Sequence, residues 1–311
     1  MPSNFSLLEA IANHYYQIPI TPIARLGAPM SALTEIELAE IERANQQDKQ
    51  PVIFIHGLWL LPSSWAHWQS YFEANGFFTL AARWPGDTES VADARKSPQA
   101  FAGHSVPVIT ERISTYISLL NKKPILIGHS FGGLIAQKLA GQGLSICTIA
   151  IDPAPFKGVL PLPASVLKAF APILLKPSNN RRAVSLTESQ FRFGFGNAIS
   201  EEESRALFNE YAVPTPAKPL FEGAFANFNP RAGTRVDLSN PNRGPLLIVS
   251  GEFDHVVPRA MTTAAFKLQG RNENKTEFVE IPGRGHSLVI DHGWKEVAEQ
   301  SLKFIRENLE A

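Results

Sequence analysis

The spacing of hydrophobic positions changes character near Pro51. Before it, Ser6 to Tyr16 and Thr34 to Ala44 repeat their apolar residues with a helical period, and each opens on a capping-box pattern, Ser6-Leu7-Leu8-Glu9 and Thr34-Glu35-Ile36-Glu37. The Pro-containing stretch Ile18 to Pro29 separates them, so residues 1–50 are expected to form an N-terminal helical extension. After Pro51, short apolar runs alternate with helical stretches. Strands are predicted at Val52–Ile55, Phe77–Ala82, Ile125–Ile127, Ile146–Ile151, Leu246–Ser250 and Glu277–Ile281. Helices are predicted between them, notably at Val106–Leu120, Leu134–Leu139 and Gly293–Leu309. Strands apolar on both faces, separated by helices, predict an α/β fold with a mostly parallel sheet covered by helices on both faces.

One interval breaks the alternation. About 90 residues separate Ile151 from Leu246, far more than a connection needs. Helical patterns at Ala164–Leu175, Ser200–Ala212 and Ala217–Asn227 are divided by prolines, and nine of the twenty Phe lie between Phe156 and Phe228. These features predict a helical cap over residues 156–237, inserted into a core formed by residues 51–155 and 238–311.

Composition narrows the functional classes. Lys plus Arg and Asp plus Glu both number 29, so the net charge is zero. No nucleic-acid footprint is expected, and no basic run marks a membrane surface. The first residues, Met1 to Phe5, lack a basic segment followed by an apolar one, and no apolar run reaches the length of a membrane helix. The expectation is a cytoplasmic protein acting on a small molecule, without nucleic-acid or membrane partners; the pattern does not address its oligomeric state. The single cysteine, Cys147, sits in an apolar run and reads as a core residue. No paired His spacing and no second Cys point to a metal, and no cofactor motif is present, so neither is expected.

The chemistry concentrates at the ends of predicted strands. Pro124 to Gly133 places Gly128-His129-Ser130-Phe131-Gly132 between an apolar strand and a helical pattern. A strand-to-helix turn that sharp strains the nucleophile's backbone and needs glycine on either side of it. Ala102-Gly103-His104-Ser105-Val106 repeats the triplet without the strand, so Ser105 reads as a helix N-cap. The strand Val52–Ile55 ends in His56-Gly57-Leu58-Trp59, where a turn can aim a backbone N–H at the site. Leu58 and Phe131 are the candidate oxyanion donors, and His56 reads as a hydrogen-bonded structural residue. His286 follows a strand and the Gly-rich Pro282-Gly283-Arg284-Gly285, and is the candidate base. Asp254, in Gly251-Glu252-Phe253-Asp254, is preferred as the acid over Asp152 and Asp87, because the order Ser, Asp, His and its later loop suit it. His255 and His292 read as loop and helix-start residues. The aromatics Trp59, Trp65, Trp68, Phe156, Phe191, Phe193 and Phe195 suit either a core or an apolar substrate chamber, with Trp59, Phe193 and Phe195 the candidate substrate contacts. The Phe191–Gly196 stretch has two Gly and reads as a movable lid.

The set Ile55-His56-Gly57, Gly128-His129-Ser130-Phe131-Gly132, Gly251-Glu252-Phe253-Asp254 and Gly285-His286 resembles the α/β-hydrolase superfamily, in particular its capped esterase and cofactor-free haloperoxidase-like branch. The resemblance covers Pro51 to the C-terminus and is weaker over the cap. It implies serine-dependent cleavage of an ester, lactone, thioester or amide, with no metal or cofactor. The alternative is a non-hydrolytic protein on the same scaffold, such as a ligand receptor, a lyase or a haloperoxidase-like enzyme.

Overall fold

The structure, a computed structural model, describes residues 33–309. The helix expected at Ser6–Tyr16 lies outside the described residues. Six strands form one sheet: β1 (Pro51–Ile55), β2 (Phe78–Ala82), β3 (Ile125–His129), β4 (Cys147–Ile151), β5 (Leu246–Gly251) and β6 (Thr276–Ile281). All pair in parallel, in the order β2-β1-β3-β4-β5-β6. Every residue of β1, β3, β4 and β5 is buried. A strand enclosed by helices on both faces has no wet side, which is why these sequences are continuously apolar. The edge strand β6 is half-buried over most of its length.

The topology locates the site. From β1 the chain runs outward to the edge strand β2, then returns past β1 to form β3. The loops after β1 and β3 therefore leave in opposite directions, and a crevice opens at the carboxyl ends of these strands.

In chain order the helices are α1 (Glu35–Asn45), α2 (Ala66–Ala74), α3 (Val91–Lys96), α4 (Val106–Ser118), α5 (Phe131–Gly141), α6 (Ala164–Leu174), α7 (Glu188–Gly194), α8 (Glu201–Tyr211), α9 (Lys218–Ala224), α10 (Arg259–Gln269) and α11 (Trp294–Leu309). The capping box of α1 is formed: Thr34 Oγ1 accepts the Glu37 N–H and the Glu37 carboxylate accepts the Thr34 N–H. Glu37 also meets Arg112 of α4 at 2.6 Å, with both side chains buried.

The bounds of helices α2, α3, α7 and α10 are not among those predicted. In α10 the adjacent Thr262 and Thr263 blunt the helical signal. Before and within α2, Trp65, Trp68 and Phe72 lie on one helical face and are fully buried. Trp65 stacks on Phe54 of β1 at 5.0 Å, and Trp68 donates its indole N–H to Val289 O at 3.0 Å. These two tryptophans belong to the core and not to a substrate chamber. Cys147 is buried too, and burial pushes its thiol up to about 12, which disqualifies it as a nucleophile.

Helices α6 to α9 fill the interval between β4 and β5, joined by a two-residue antiparallel pair, Ala183–Val184 with Thr215–Pro216, too short to read from sequence. Charges at helix ends tie this insertion to the sheet domain. Arg95 donates to the carbonyls of Phe208, Asn209 and Ala212 at the C-terminus of α8. Glu222 of α9 accepts the Val106 N–H at the start of α4, at 2.7 Å. A cation at a helix C-terminus and an anion at a helix N-terminus each oppose the local partial charge. No described helix is long and apolar enough to cross a membrane.

Candidate active site

Ser130 stands between β3 and α5 with φ 55° and ψ −122°. The flanking glycines are required by close approach. A Cβ on Gly128 would lie 2.2 Å from Gly132 O, and one on Gly132 would lie 2.1 Å from Ile55 O. Larger residues would push the turn away from β1 and move the serine off the N-terminus of α5, where partial positive charge collects. Ser130 is only 4% exposed.

The loop after β1 covers this turn. A Cβ on Gly57 would come within 2.8 Å of Ser130 Cβ. Trp59 then reverses the chain at φ 63°. The N–H groups of Leu58 and Phe131 find no acceptor among the described residues, although both residues are buried. Buried unpaired N–H groups are uncommon, and a pair flanking a buried serine is what an anion site supplies. His56 has both ring nitrogens engaged, Nδ1 with Gly57 O at 2.8 Å and Nε2 with Asp87 at 3.0 Å. Asp87 also accepts the Trp84 N–H. This pair holds the loop and leaves neither residue free for other work.

His286 and Asp254 meet below the same edge. His286 Nδ1 lies 2.6 Å from Asp254 Oδ2, and both side chains are buried. Asp254 Oδ1 accepts the N–H groups of Val256 and Val257 at 2.6 and 2.8 Å. That arrangement sets the tautomer: Nδ1 carries the proton and Nε2 is the basic nitrogen. Nε2 has no hydrogen-bond partner, so the bond from Ser130 Oγ to it is not made in this state. Such contacts commonly tighten only when substrate is bound. His129 packs its ring 4.6 Å from that of His286 and donates from Nε2 to His286 O at 2.9 Å. Burial foremost, with His286 as its neighbour, holds His129 well below the usual histidine range, so it is neutral.

Residues 52–300 match the model of the "Alpha/beta hydrolase family". The chain belongs to the alpha/beta hydrolase family. Among solved structures, a Paleococcus ferrophilus monoacylglycerol lipase aligns with a TM-score of 0.59 at 19% identity, covering 83% of this chain and 94% of that one. An extracellular alpha/beta-hydrolase from a Paenibacillus species aligns at 0.60 and 22%, covering 82% and 98%. The Arabidopsis methylesterase MES16 aligns at 0.58 and 14%, covering 82% and 98%. At these identities the likeness concerns the fold. Curated protein sequences contain no match to the chain.

In this hydrolase the expected Ser130, His286, Asp254, Leu58 and Phe131 all sit at one sheet edge. Two of the expected aromatic contacts join them. Phe195 places its ring 4.8 Å from that of His286, and Trp59 packs edge-on against Phe195 at 6.3 Å. Trp59 also bridges to the insertion, donating its indole N–H to Val184 O and accepting the Val213 N–H at its carbonyl. Phe193 is elsewhere, against the His255 ring at 4.6 Å and under Lys168 Nζ at 4.3 Å. His292 pairs with Glu203 on the surface, and Ser105 caps α4 by accepting the Val108 N–H.

The glycines of the expected lid serve packing. Thr187 and Gln190 form a capping box, and Phe191 stacks on Phe195 at 4.9 Å within the buried layer. A Cβ on Gly196 would lie 2.1 Å from Ser204 Oγ, and one on Gly194 would lie 3.2 Å from Val256 Cγ2. These residues let α7 approach its neighbours closely.

Sequence reasoning did not foresee what surrounds Asp152. It is fully buried, with φ 40°, and its Oδ1 accepts the Gly251 N–H at 2.7 Å. Its Oδ2 lies 4.0 Å from His286 Nδ1 and has no hydrogen-bond partner. His129, Asp152 and His286 bring donor atoms within 4.8 Å of one another. Each makes one internal hydrogen bond, to His286 O, Gly251 N and Asp254 respectively, while His129 Nδ1, Asp152 Oδ2 and His286 Nε2 have no partner.

Proposed function

We propose that this protein is a serine hydrolase that cleaves an ester-type bond (ester, lactone or thioester) in an uncharged, fairly hydrophobic small molecule. The observation that carries the proposal is the His286–Asp254 bond of 2.6 Å, which leaves Nε2 basic and unpartnered at the edge that holds Ser130 in a strained turn. Ser130 Oγ attacks the carbonyl carbon while His286 Nε2 takes its proton. The resulting imidazolium is held by the Asp254 carboxylate. Leu58 and Phe131 N–H groups receive the oxyanion, and the protonated His286 then hands its proton to the leaving alcohol or thiol. Water, deprotonated by His286, attacks the acyl-enzyme and frees the acid and Ser130.

The substrate class follows from the walls. Trp59 and Phe195 offer apolar ring surface beside His286, which supports an uncharged substrate. The lipase and methylesterase among the structural neighbours support ester cleavage on this fold. The test is turnover of p-nitrophenyl acetate, butyrate and octanoate by wild type and Ser130→Ala. Wild-type turnover that rises with acyl length and vanishes in the variant supports the proposal; equal turnover by both overturns it.

A further inference from the structure

Asp152 follows β4 as Ser130 follows β3, yet the proposed reaction gives it no task. Its carboxyl is wholly enclosed. Oδ1 takes the Gly251 N–H, while Oδ2, 4.0 Å from His286 Nδ1, takes nothing. The proton on that nitrogen is committed to Asp254 at 2.6 Å. The titratable groups facing Asp152 are Asp254, His286, His129 and Arg284. Of these, His129 is held neutral by its burial. Arg284 is paired with Asp291 and faces Glu296, so it is no dedicated counter-ion.

A charged carboxylate with one bare oxygen, buried beside a second carboxylate, has its solvation removed and nothing put in its place. A proton on Oδ2 resolves this, because it turns a bare acceptor into a donor with an acceptor at hand. Asp254 can use it. A carboxylate has about four acceptor positions, and the N–H groups of Val256, Val257 and His286 fill three.

We propose that Asp152 is held protonated and donates a hydrogen bond to the Asp254 carboxylate, as a positioning residue that fixes Asp254 against His286. The role rests on the serine mechanism above, in which Asp254 stays ionised while His286 gains and loses a proton. Burial foremost, then the Asp254 charge, pushes Asp152 well above the ordinary aspartate range; the Gly251 N–H and Arg284 act the other way. Its backbone holds φ 40°, a conformation kept where the surroundings over-determine it.

Two measurements test this. The infrared difference spectrum between wild type and Asp152→Asn at neutral pH reads the proton directly and needs no turnover. The expected result is the C=O stretch of a buried carboxylic acid in wild type and none in the variant; its absence from wild type overturns the proposal. The second is kcat/KM for p-nitrophenyl butyrate. Asparagine keeps an oxygen for Gly251 and an N–H for Asp254, so Asp152→Asn should stay within about threefold of wild type, while Asp152→Ala should fall by roughly 10- to 100-fold, as losses of supporting hydrogen bonds do. Loss in Asp152→Asn equal to that in Asp152→Ala would mean a working carboxylate, and would overturn the proposal. Fluorophosphonate labelling of Ser130, run alongside, separates the two claims: an unlabelled Ser130 beside a clear acid band contradicts the serine mechanism and not the protonated carboxyl.

Discussion

Along the carboxyl edge of the sheet, Trp59, Ser130 and Asp152 hold positive φ, and they are the non-glycine residues that do so among those described. The insertion over residues 156–237 holds none; its φ of 111° at Gly158 costs a glycine little. Strained backbone at the edge is fixed by close neighbours: glycines where any Cβ would come within 3 Å of another atom, two N–H groups on Asp254, one on Asp152. The insertion is held instead by stacked rings and by Arg95 and Glu222 at helix ends, contacts that can slide or reform. Strain of about 1–3 kcal/mol per residue persists only where the surroundings enforce it. The difference teaches where strain is kept: the edge holds backbone in unfavoured conformations, while the insertion packs without them. Ser130 and Asp254 at the edge are 4% and 3% exposed.

The comparison can be broken hardest at the edge. His286→Ala should lower kcat/KM for p-nitrophenyl butyrate by about 10⁴-fold, because nucleophile and base act as a unit. Retention of a tenth of the activity by a folded variant would remove His286 from the mechanism. Asp254→Asn should cost on the order of 10³- to 10⁴-fold, since the amide cannot fix the His286 tautomer. Asp152→Asn should cost far less; a reversed ranking in the same assay would exchange their roles.

In the insertion the expected effects are smaller. Phe195→Ala should flatten the acyl-length preference by about tenfold, because a methylene against an apolar wall is worth roughly 1 kcal/mol. Phe193→Ala, packed on His255 and Lys168, should leave that preference alone. Identical profiles for both, from rates over a series of esters, would end the case for a substrate wall at Phe195.

The smallest effect concerns stability. Folded Asp152 keeps a proton that the unfolded chain releases above the ordinary aspartate range, near 4. The native state therefore binds more protons, and wild-type stability falls as pH rises through that window toward the raised folded value. Asp152→Asn lacks this slope. Its Tm relative to wild type should be flat below that range and improve steadily above it; a difference independent of pH would contradict the assignment.

How much of this was legible follows from the same contrast. The central strands β1, β3, β4 and β5 read clearly because both their faces are buried, so nearly every position had to be apolar. The meeting of Ser130, Asp254 and His286 at one edge was legible because each lies in the segment that follows a strand's carboxyl end. What failed to read depends on a partner distant in sequence. Gly194 and Gly196, at and just after the end of α7, look like hinges until Val256 and Ser204 are seen against them. Trp65 and Trp68 look like chamber walls until Phe54 and Val289 take them. Asp152 looks like a spare acid, because nothing in its own segment announces that Gly251 and Asp254 enclose it.

The central claim is that Ser130 is the nucleophile of this hydrolase, and covalent labelling tests it most directly. The native protein would be treated with a fluorophosphonate, digested and mapped by mass spectrometry. The account predicts one adduct, on Ser130, lost in Ser130→Ala and strongly slowed in His286→Ala. An adduct on Ser105 or another serine, or none on the folded protein, would contradict it.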